Sequence, residues 1–472
     1  MKRIFKFIVT FPKSVIAGVL TATLFFGYFS GKLEVDASTE TLLLENDKDL
    51  AVFRDVFKRY VSPNYLVVAY TPKDDILAPA TLEKIKNLSD ELAKNELVSN
   101  VISILNIPLL QSGSNELGEL VKHVPSLADA DINKTLVRRE FGDSPLYTNN
   151  IVSGDLKTTA IVLNLKTDEK YQSILNERNA LLNAKLDGNI TSEQKQRLST
   201  VNMRFKAYRD EARVKEHAAI EQIRKAVAKF SGEESLFLGG ANMIADDMVG
   251  FVRSDLASYG ISVTLLLIFS LWLFFRQIRY VFMPIFICVI SVIWASGLFG
   301  FFGWEITVIS SNYIALQLII TISVVIHLIV SYREFYLTKP HLSNSQLVYL
   351  TLRDKASPSF FAIFTTVIGF LSLALSDIKP IIMLGVMMSA SIAVSLALAF
   401  LLFGSAMTLM PKLAPVRTFE SKFGFTKYCA KFALEHGRAV YTIALAVLIF
   451  GLYGISKLRV ENSFISYFKD TT

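Results

Sequence analysis

Apolar residues in this chain come in runs of roughly 20, the length a helix needs to cross the hydrocarbon core of a bilayer. Seven runs stand out, at about 12–30, 258–275, 281–303, 313–335, 359–376, 380–410 and 439–456. Inside a bilayer every backbone amide needs an internal partner, so each run is predicted to be a helix. The sixth is long enough to tilt or to include an interfacial turn. Between the first two runs lies a soluble stretch, 31–257, with shorter periods. Tyr65–Tyr70 and Thr159–Leu165 are short, rich in β-branched or aromatic residues, and predict strands. From Ala80 to Ala93, Leu82, Ile85, Leu88 and Leu92 recur at intervals of three and four and predict a helix, followed by a strand over Val98–Leu105. Strand, helix, strand in close succession suggests a βαβ unit. Residues 170–230 are rich in Lys, Glu, Arg, Gln and Ala, interrupted at Gly188-Asn189. They predict a helical hairpin, either a partner-docking arm or a solvated insertion. The fold class that follows is an α-helical membrane bundle of about seven spans carrying a large α+β extracytoplasmic domain.

Charge orients this pattern. The net charge is +7, and Lys and Arg cluster beside the apolar runs. With the N-terminus cytoplasmic, Arg276 and Arg279, then Arg333, Lys339, Arg353 and Lys355, then Lys412, Arg417, Lys422, Lys427, Lys431 and Arg438 all fall inside. The short outer loops hold only Trp304-Glu305 and Ser376–Lys379. The positive-inside rule is met at every turn. The expected location is therefore the cell inner membrane, with residues 31–257 periplasmic, and the basic excess needs no nucleic-acid partner. Lys2, Arg3, Lys6 and Lys13 precede an apolar stretch from Val15 to Ser30 with no small-x-small cleavage site after it, which reads as an uncleaved first span. Cys288 and Cys429 support neither a disulfide framework nor a zinc site. In 412–438, Phe419, Phe423, Phe425, Tyr428 and Phe432 alternate with Lys422, Lys427 and Lys431, suiting a helix on the cytoplasmic membrane face.

The two ends repeat one another. Shifting Phe11–Ser38 by 425 positions brings Lys13 onto Arg438, Lys32-Leu33 onto Lys457-Leu458, Val35 onto Val460, Asp36 onto Glu461 and Ser38 onto Ser463. Transporters are often built from such tandem halves. The expectation is one full unit of six spans and a soluble domain, then a truncated second soluble domain at 457–472.

Candidate chemistry lies in the fourth span. His327 is the only ionisable side chain placed well inside a span, and such residues are functional by default. Ser323, His327 and Ser331 stand at i, i+4 and i+8 and are expected to share a face. Thr321 and Gln317 add polarity to the same helix, and Thr365 and Thr366 to the fifth span. One reading makes His327 a proton carrier, since its unperturbed pKa is about 6.5. The other keeps it neutral and hydrogen-bonded across the bundle. Gly385, Ser389, Ala393 and Ala397 recur every fourth position and predict close helix packing. No phosphate loop, metal-spaced cluster or nucleophile motif stands out, so neither an enzyme, a cofactor nor a metal is expected. His123 and His217 read as surface residues.

One span, a large outer domain, five further spans and a repeat is an order that resembles resistance–nodulation–division (RND) exporters. Gly239–Asn242 to Arg253–Leu256, Ile326-His327-Leu328 with Tyr332-Arg333-Glu334, Thr365–Leu373 with Ser376–Pro380, and Met410-Pro411 resemble that family's segments in the same order. The likeness is greatest to the MMPL and hydrophobe/amphiphile exporter branch. It implies a porter domain (31–257) of two ferredoxin-like βαβ subdomains between a first span (1–30) and spans two to six (258–411), then a linker (412–438) and a seventh span (439–456). It also implies proton-driven export of lipids or other amphiphilic cargo, with a periplasmic partner and a homo-oligomer both open. The family commonly carries an acid four positions before the His; here Ser323 stands there. That departure keeps a different class in view, an accessory or sensor protein that does not transport.

Overall fold

A computed structural model gives the architecture and describes residues 2–35, 52, 56, 64–112, 125–129, 132–186, 188–232, 234–376, 378–414 and 425–458. The chain opens with a short helix α1 (Lys2–Thr10), and α2 (Pro12–Ser30) follows, started by a proline in its first turn. The soluble domain contains β1 (Tyr65–Thr71), α3 (Pro79–Leu92), β2 (Val98–Ile102), α4 (Lys134–Asp143), β3 (Thr159–Leu165), α5 (Glu169–Leu186), α6 (Ser192–Phe230) and β4 (Ser235–Gly239). Among the described residues there follow α7 (Ala241–Phe275), α8 (Arg279–Phe302), α9 (Tyr313–Thr338), α10 (Asn344–Leu371), α11 (Lys379–Leu409), α12 (Phe425–Glu435) and α13 (Gly437–Lys457).

The sheet has the order β2-β3-β1-β4, antiparallel throughout. Alternation explains which face is buried. Leu66, Val68 and Tyr70 of β1 and Ile161, Leu163 and Leu165 of β3 point into one core, with Leu66 opposite Leu163 and Val68 opposite Ile161. Ile85, Leu88 and Leu92 of α3 and Ile220, Ile223 and Val227 of α6 cover that face. The strand expected over Val98–Leu105 stops at Ile102. There the Asn106 side chain accepts from the Ser103 amide and Ser103 Oγ accepts from the Leu105 amide, turning the backbone out of the ladder. The described residues contain one four-stranded sheet, where the resemblance implied two subdomains. Strand β4 and helix α4, capped by Asn133, had no counterpart in the sequence reading.

Helices α5 and α6 enclose a small core of their own, with Ile174 and Leu181 against Leu198, Val201 and Phe205. A capping box at Thr191 and Gln194 starts α6.

Among the described residues seven helices are long and apolar enough to cross a membrane. Two of them start well before their apolar runs. α7 begins at Ala241 rather than 258, and α10 at Asn344 rather than 359. Hydropathy marks where a helix turns apolar, whereas caps mark where it begins; Ser343 and Gln346 form a capping box at the start of α10. At the start of α7, Gly240 has φ +141°, and a Cβ there would lie 2.9 Å from the Tyr65 carbonyl oxygen, so glycine lets strand pass directly into helix. The long sixth span contains no interfacial turn: α11 is one helix of 31 residues, about 46 Å at 1.5 Å per residue.

Close approaches set the bundle. A Cβ on Gly297 would meet Phe26 O at 2.1 Å and one on Gly300 would meet Phe29 O at 2.0 Å, so α8 packs backbone to backbone on α2. Gly385 approaches Phe370 O in the same way, and Ser389 Oγ donates to Val367 O. Ala393 and Ala397, predicted in the same stripe, are exposed. Steps of four overshoot the 3.6-residue turn, so the stripe rotates off the contact.

The loops sort into two ends. Arg279 donates to Pro411 O and Leu413 O, Gln277 to Ala414 O, and Lys412 to Pro340 O and Leu342 O, which gathers three basic loops at the end away from the soluble domain. Helix α13 has no buried residue, and α12 packs against it. Residues 459–472 of the predicted second soluble domain, and the linker residues Arg417, Phe419, Lys422 and Phe423, lie outside the described residues, as does His123.

Candidate functional site

Helix α9 runs through the middle of the bundle and presents two unlike faces. Its inner face buries Tyr313, Gln317, Thr321, Val325, Leu328, Ser331 and Tyr332. Gln317 Nε2 donates to Ser291 O on α8 at 2.8 Å and lies 3.2 Å from Ser395 Oγ on α11. The Ser291 and Ser395 hydroxyls pair at 2.8 Å, and Thr321 Oγ1 donates to Gln317 O at 2.7 Å. Because Ser291 O can only accept, the amide orientation of Gln317 is fixed. Its Oε1 meets no donor among the described residues. Three spans are thus tied by one buried polar node, which contains no titratable group.

Ser323 and His327 lie on the other face, exposed together with Ile319 and Val330. Among the described residues His327 makes no hydrogen bond or ion pair, so the cross-bundle partner that its neutral reading required is not found there. Ser331 does not share their face. Eight residues rotate a helix about 80° past two turns, and Ser331 is buried with its hydroxyl donating to Asp354 Oδ2 on α10 at 3.3 Å. Asp354 also pairs with Lys355 at 3.1 Å. Thr365 and Thr366 turn back to their own Ala362 O at 2.9 and 2.8 Å and reach neither His327 nor the node. The structure therefore divides the seven predicted residues: Gln317 and Thr321 in the node, Ser331 at the α9–α10 contact, Ser323 and His327 on the open face, Thr365 and Thr366 apart. Ser291 and Ser395 were missed, though hydroxyls inside apolar runs were the signal.

A second cluster joins the soluble domain to the bundle. Lys206, Arg209 and Arg213, spaced three and four apart on α6, face the same way. Arg209, almost fully buried, binds Glu305 at 2.6 Å and Asp210 at 3.0 Å. Lys206 binds Glu34 at 2.7 Å and Glu305 at 3.3 Å, and Arg213 donates to Val35 O at 3.2 Å. The Ile306 amide donates to Glu34 O at 2.8 Å, closing the platform beneath them. Burial alone would lower the Lys206 pKa, but the bond to Glu34 and the charge of Glu305 outweigh it and raise it. Glu34, Asp210 and Glu305 lie near enough to share a metal ion, yet Lys206 and Arg209 already neutralise them. Hairpin helix α6 is thus a strut standing on the loop after α8, a contact that neither sequence reading of the hairpin included.

Farther along, α6 is laced to the outer part of α7. Glu216 bonds Asn242, His217 Nδ1 lies 2.7 Å from Asp246 Oδ1, and Arg224 pairs with Asp247. His217 is exposed, as expected, but paired. Burial pushes the Glu216 carboxyl above its ordinary value; the Asn242 bond opposes this and the Asp246 charge adds to it.

Seven candidate spans among the described residues, with a soluble domain carried between the first two and clamped to the loop after α8, define a multi-pass membrane protein. The MMPL family profile matches residues 45–423, and the chain belongs to the MMPL family, consistent with an RND-type permease. None of the curated proteins matches the chain.

Proposed function

We propose that this protein is an inner-membrane RND-type exporter of lipids or other amphiphiles, driven by the proton gradient through His327. Family membership is the observation that carries the transporter reading. The cargo class is supported by the build: a soluble domain stands directly on the spans, with α7 continuous from the sheet into the membrane, so a molecule leaving the outer leaflet meets the domain at once. The sheet order β2-β3-β1-β4, with helices crossing between β1 and β2 and between β3 and β4, supports reading that domain as a ferredoxin-like porter unit. The basic loops gathered at the opposite end support a cytoplasmic N-terminus and a periplasmic domain. In this reading the protein is a carrier, not an enzyme.

The proton part rests on His327, which is accessible on α9, while the buried node holds only amide and hydroxyl groups. One proton crossing roughly 150 mV releases about 3.5 kcal/mol, enough for a cargo gradient of a few hundredfold at about 1.4 kcal/mol per decade. A second reading, an accessory or sensor protein that does not transport, is favoured by one observation: Ser323 stands where the family commonly has an acid.

The test is mass spectrometry of small molecules that copurify with the detergent-solubilised protein, against a mock purification. Specific enrichment of one lipid or amphiphile is expected. Recovery of bulk membrane phospholipid alone would contradict the cargo class and favour the second reading.

A further inference from the structure

Helix α1 was not expected from the sequence, and it has three faces. At 100° per residue, Phe5, Ile8 and Val9 centre on one direction, Ile4, Phe7 and Phe11 on a second, and Lys2, Arg3 and Lys6 on a third, about 120° from one another. The first face is packed: the Phe5 ring stacks on Phe400 at 5.9 Å, and Ile8 sits against Gly404. The second is exposed, with Ile4 56%, Phe7 54% and Phe11 54% accessible. The third is exposed and carries three cations, with Thr10 between them. The first acidic residue in the chain is Glu34. Among the described residues neither Lys2, Arg3, Lys6 nor nearby Lys13 pairs with a carboxylate.

Phe400 and Gly404 lie in the last three turns of α11, toward the end whose following residues Pro411 and Leu413 join the basic loops. Helix α1 therefore sits at one rim of the bundle, at the depth where a bilayer changes from acyl chain to headgroup. A helix lying in that plane needs an apolar side toward the chains and a cationic side toward phosphates, and here the remaining side is held by protein.

We propose that α1 is a binding surface for anionic phospholipid headgroups in the leaflet at that rim, with Lys2, Arg3 and Lys6 contacting the phosphates and Ile4, Phe7 and Phe11 contacting the acyl chains. The inference rests on the chain spanning a bilayer and is independent of what is transported. Its lipid is a resident anchor, distinct from cargo passing the other side of the membrane.

The experiment uses the full chain in neutral detergent, offered phosphatidylglycerol and phosphatidylcholine of identical acyl chains in equal amounts, with retained lipids counted by native mass spectrometry. Phosphatidylglycerol is expected to be preferred, the preference falling as salt is raised. In the K2Q/R3Q/K6Q variant it falls roughly fivefold for each cation removed. The K2R/K6R variant keeps the preference, as does a charge-matched change in the soluble hairpin, K185Q/K195Q/K225Q. Full preference in K2Q/R3Q/K6Q, equal loss in the hairpin variant, or a salt-independent preference in the wild type would each overturn the assignment.

Discussion

The packed helices α8, α9 and α11 are somewhat more apolar than the open α7 and α10, yet all five are apolar enough to cross a membrane. Helices α8, α9 and α11 bury Tyr280, Phe299, Tyr313, Tyr332 and Phe403, whereas the membrane part of α7 leaves Ile261, Leu265, Leu266, Phe269 and Trp272 exposed, and α10 leaves Phe360, Phe361 and Phe364 exposed. What closes a face is fit rather than that small difference in hydropathy. Between apolar helices in lipid there is no hydrophobic drive to associate, so small residues and paired polar groups decide which faces close. Gly297, Gly300 and the Gln317–Ser291–Ser395 node lie on the closed side; Ser323 and His327 lie on the open one.

Matched substitutions sharpen this contrast. Gly297→Leu drives a side chain into the Phe26 backbone and is expected to cost about 3 kcal/mol or more. The same change at Gly369 on α10, where a Cβ meets nothing within 4 Å, is expected to stay within about 0.5 kcal/mol. Size-exclusion profiles and melting of the two variants check it; equal behaviour would remove the distinction. A smaller contrast lies on one helix. Gln317→Leu should lower stability by about 0.5–2 kcal/mol, whereas Ser323→Leu should leave melting nearly unchanged.

The smallest effect concerns α7, open in its membrane part and gripped by α6 in its outer part. The raised Glu216 pKa means the folded state holds that proton more tightly than the unfolded chain. Its stability contribution is therefore full below the ordinary value of 4.5 and is lost as pH rises through the folded value. Glu216→Gln should flatten that decline and raise melting slightly at neutral pH, measured as melting temperature against pH. A steeper decline in the variant would show that the carboxylate is stabilising the seam.

How much of this was legible in the sequence follows from which forces are local. Bilayer thickness sets the length of an apolar run, so the spans could be read directly, and richness in β-branched and aromatic residues located β1 and β3. Helix starts were displaced where a cap lies among polar residues, as at Ser343. Strand β4 is five residues long and pairs with β1 across the whole domain, which leaves little local trace. The polar stripe on α9 was visible as composition, but its division was not. Spacing places Ser331 near His327 on a helical wheel, whereas the neighbours that choose its direction, Asp354 above all, belong to another helix. The strut made by Lys206 and Arg209 is likewise invisible until Glu34 and Glu305 are brought beneath it.

The most direct test of proton-driven transport is proton flux into liposomes containing the purified protein and an enclosed pH-sensitive dye, with an imposed gradient and the copurifying amphiphile as cargo. The account predicts cargo-dependent flux in the wild type and roughly a hundredfold or greater loss in His327→Gln, the contribution of one proton-transferring group, with unchanged melting. Full cargo-dependent flux in His327→Gln would contradict it.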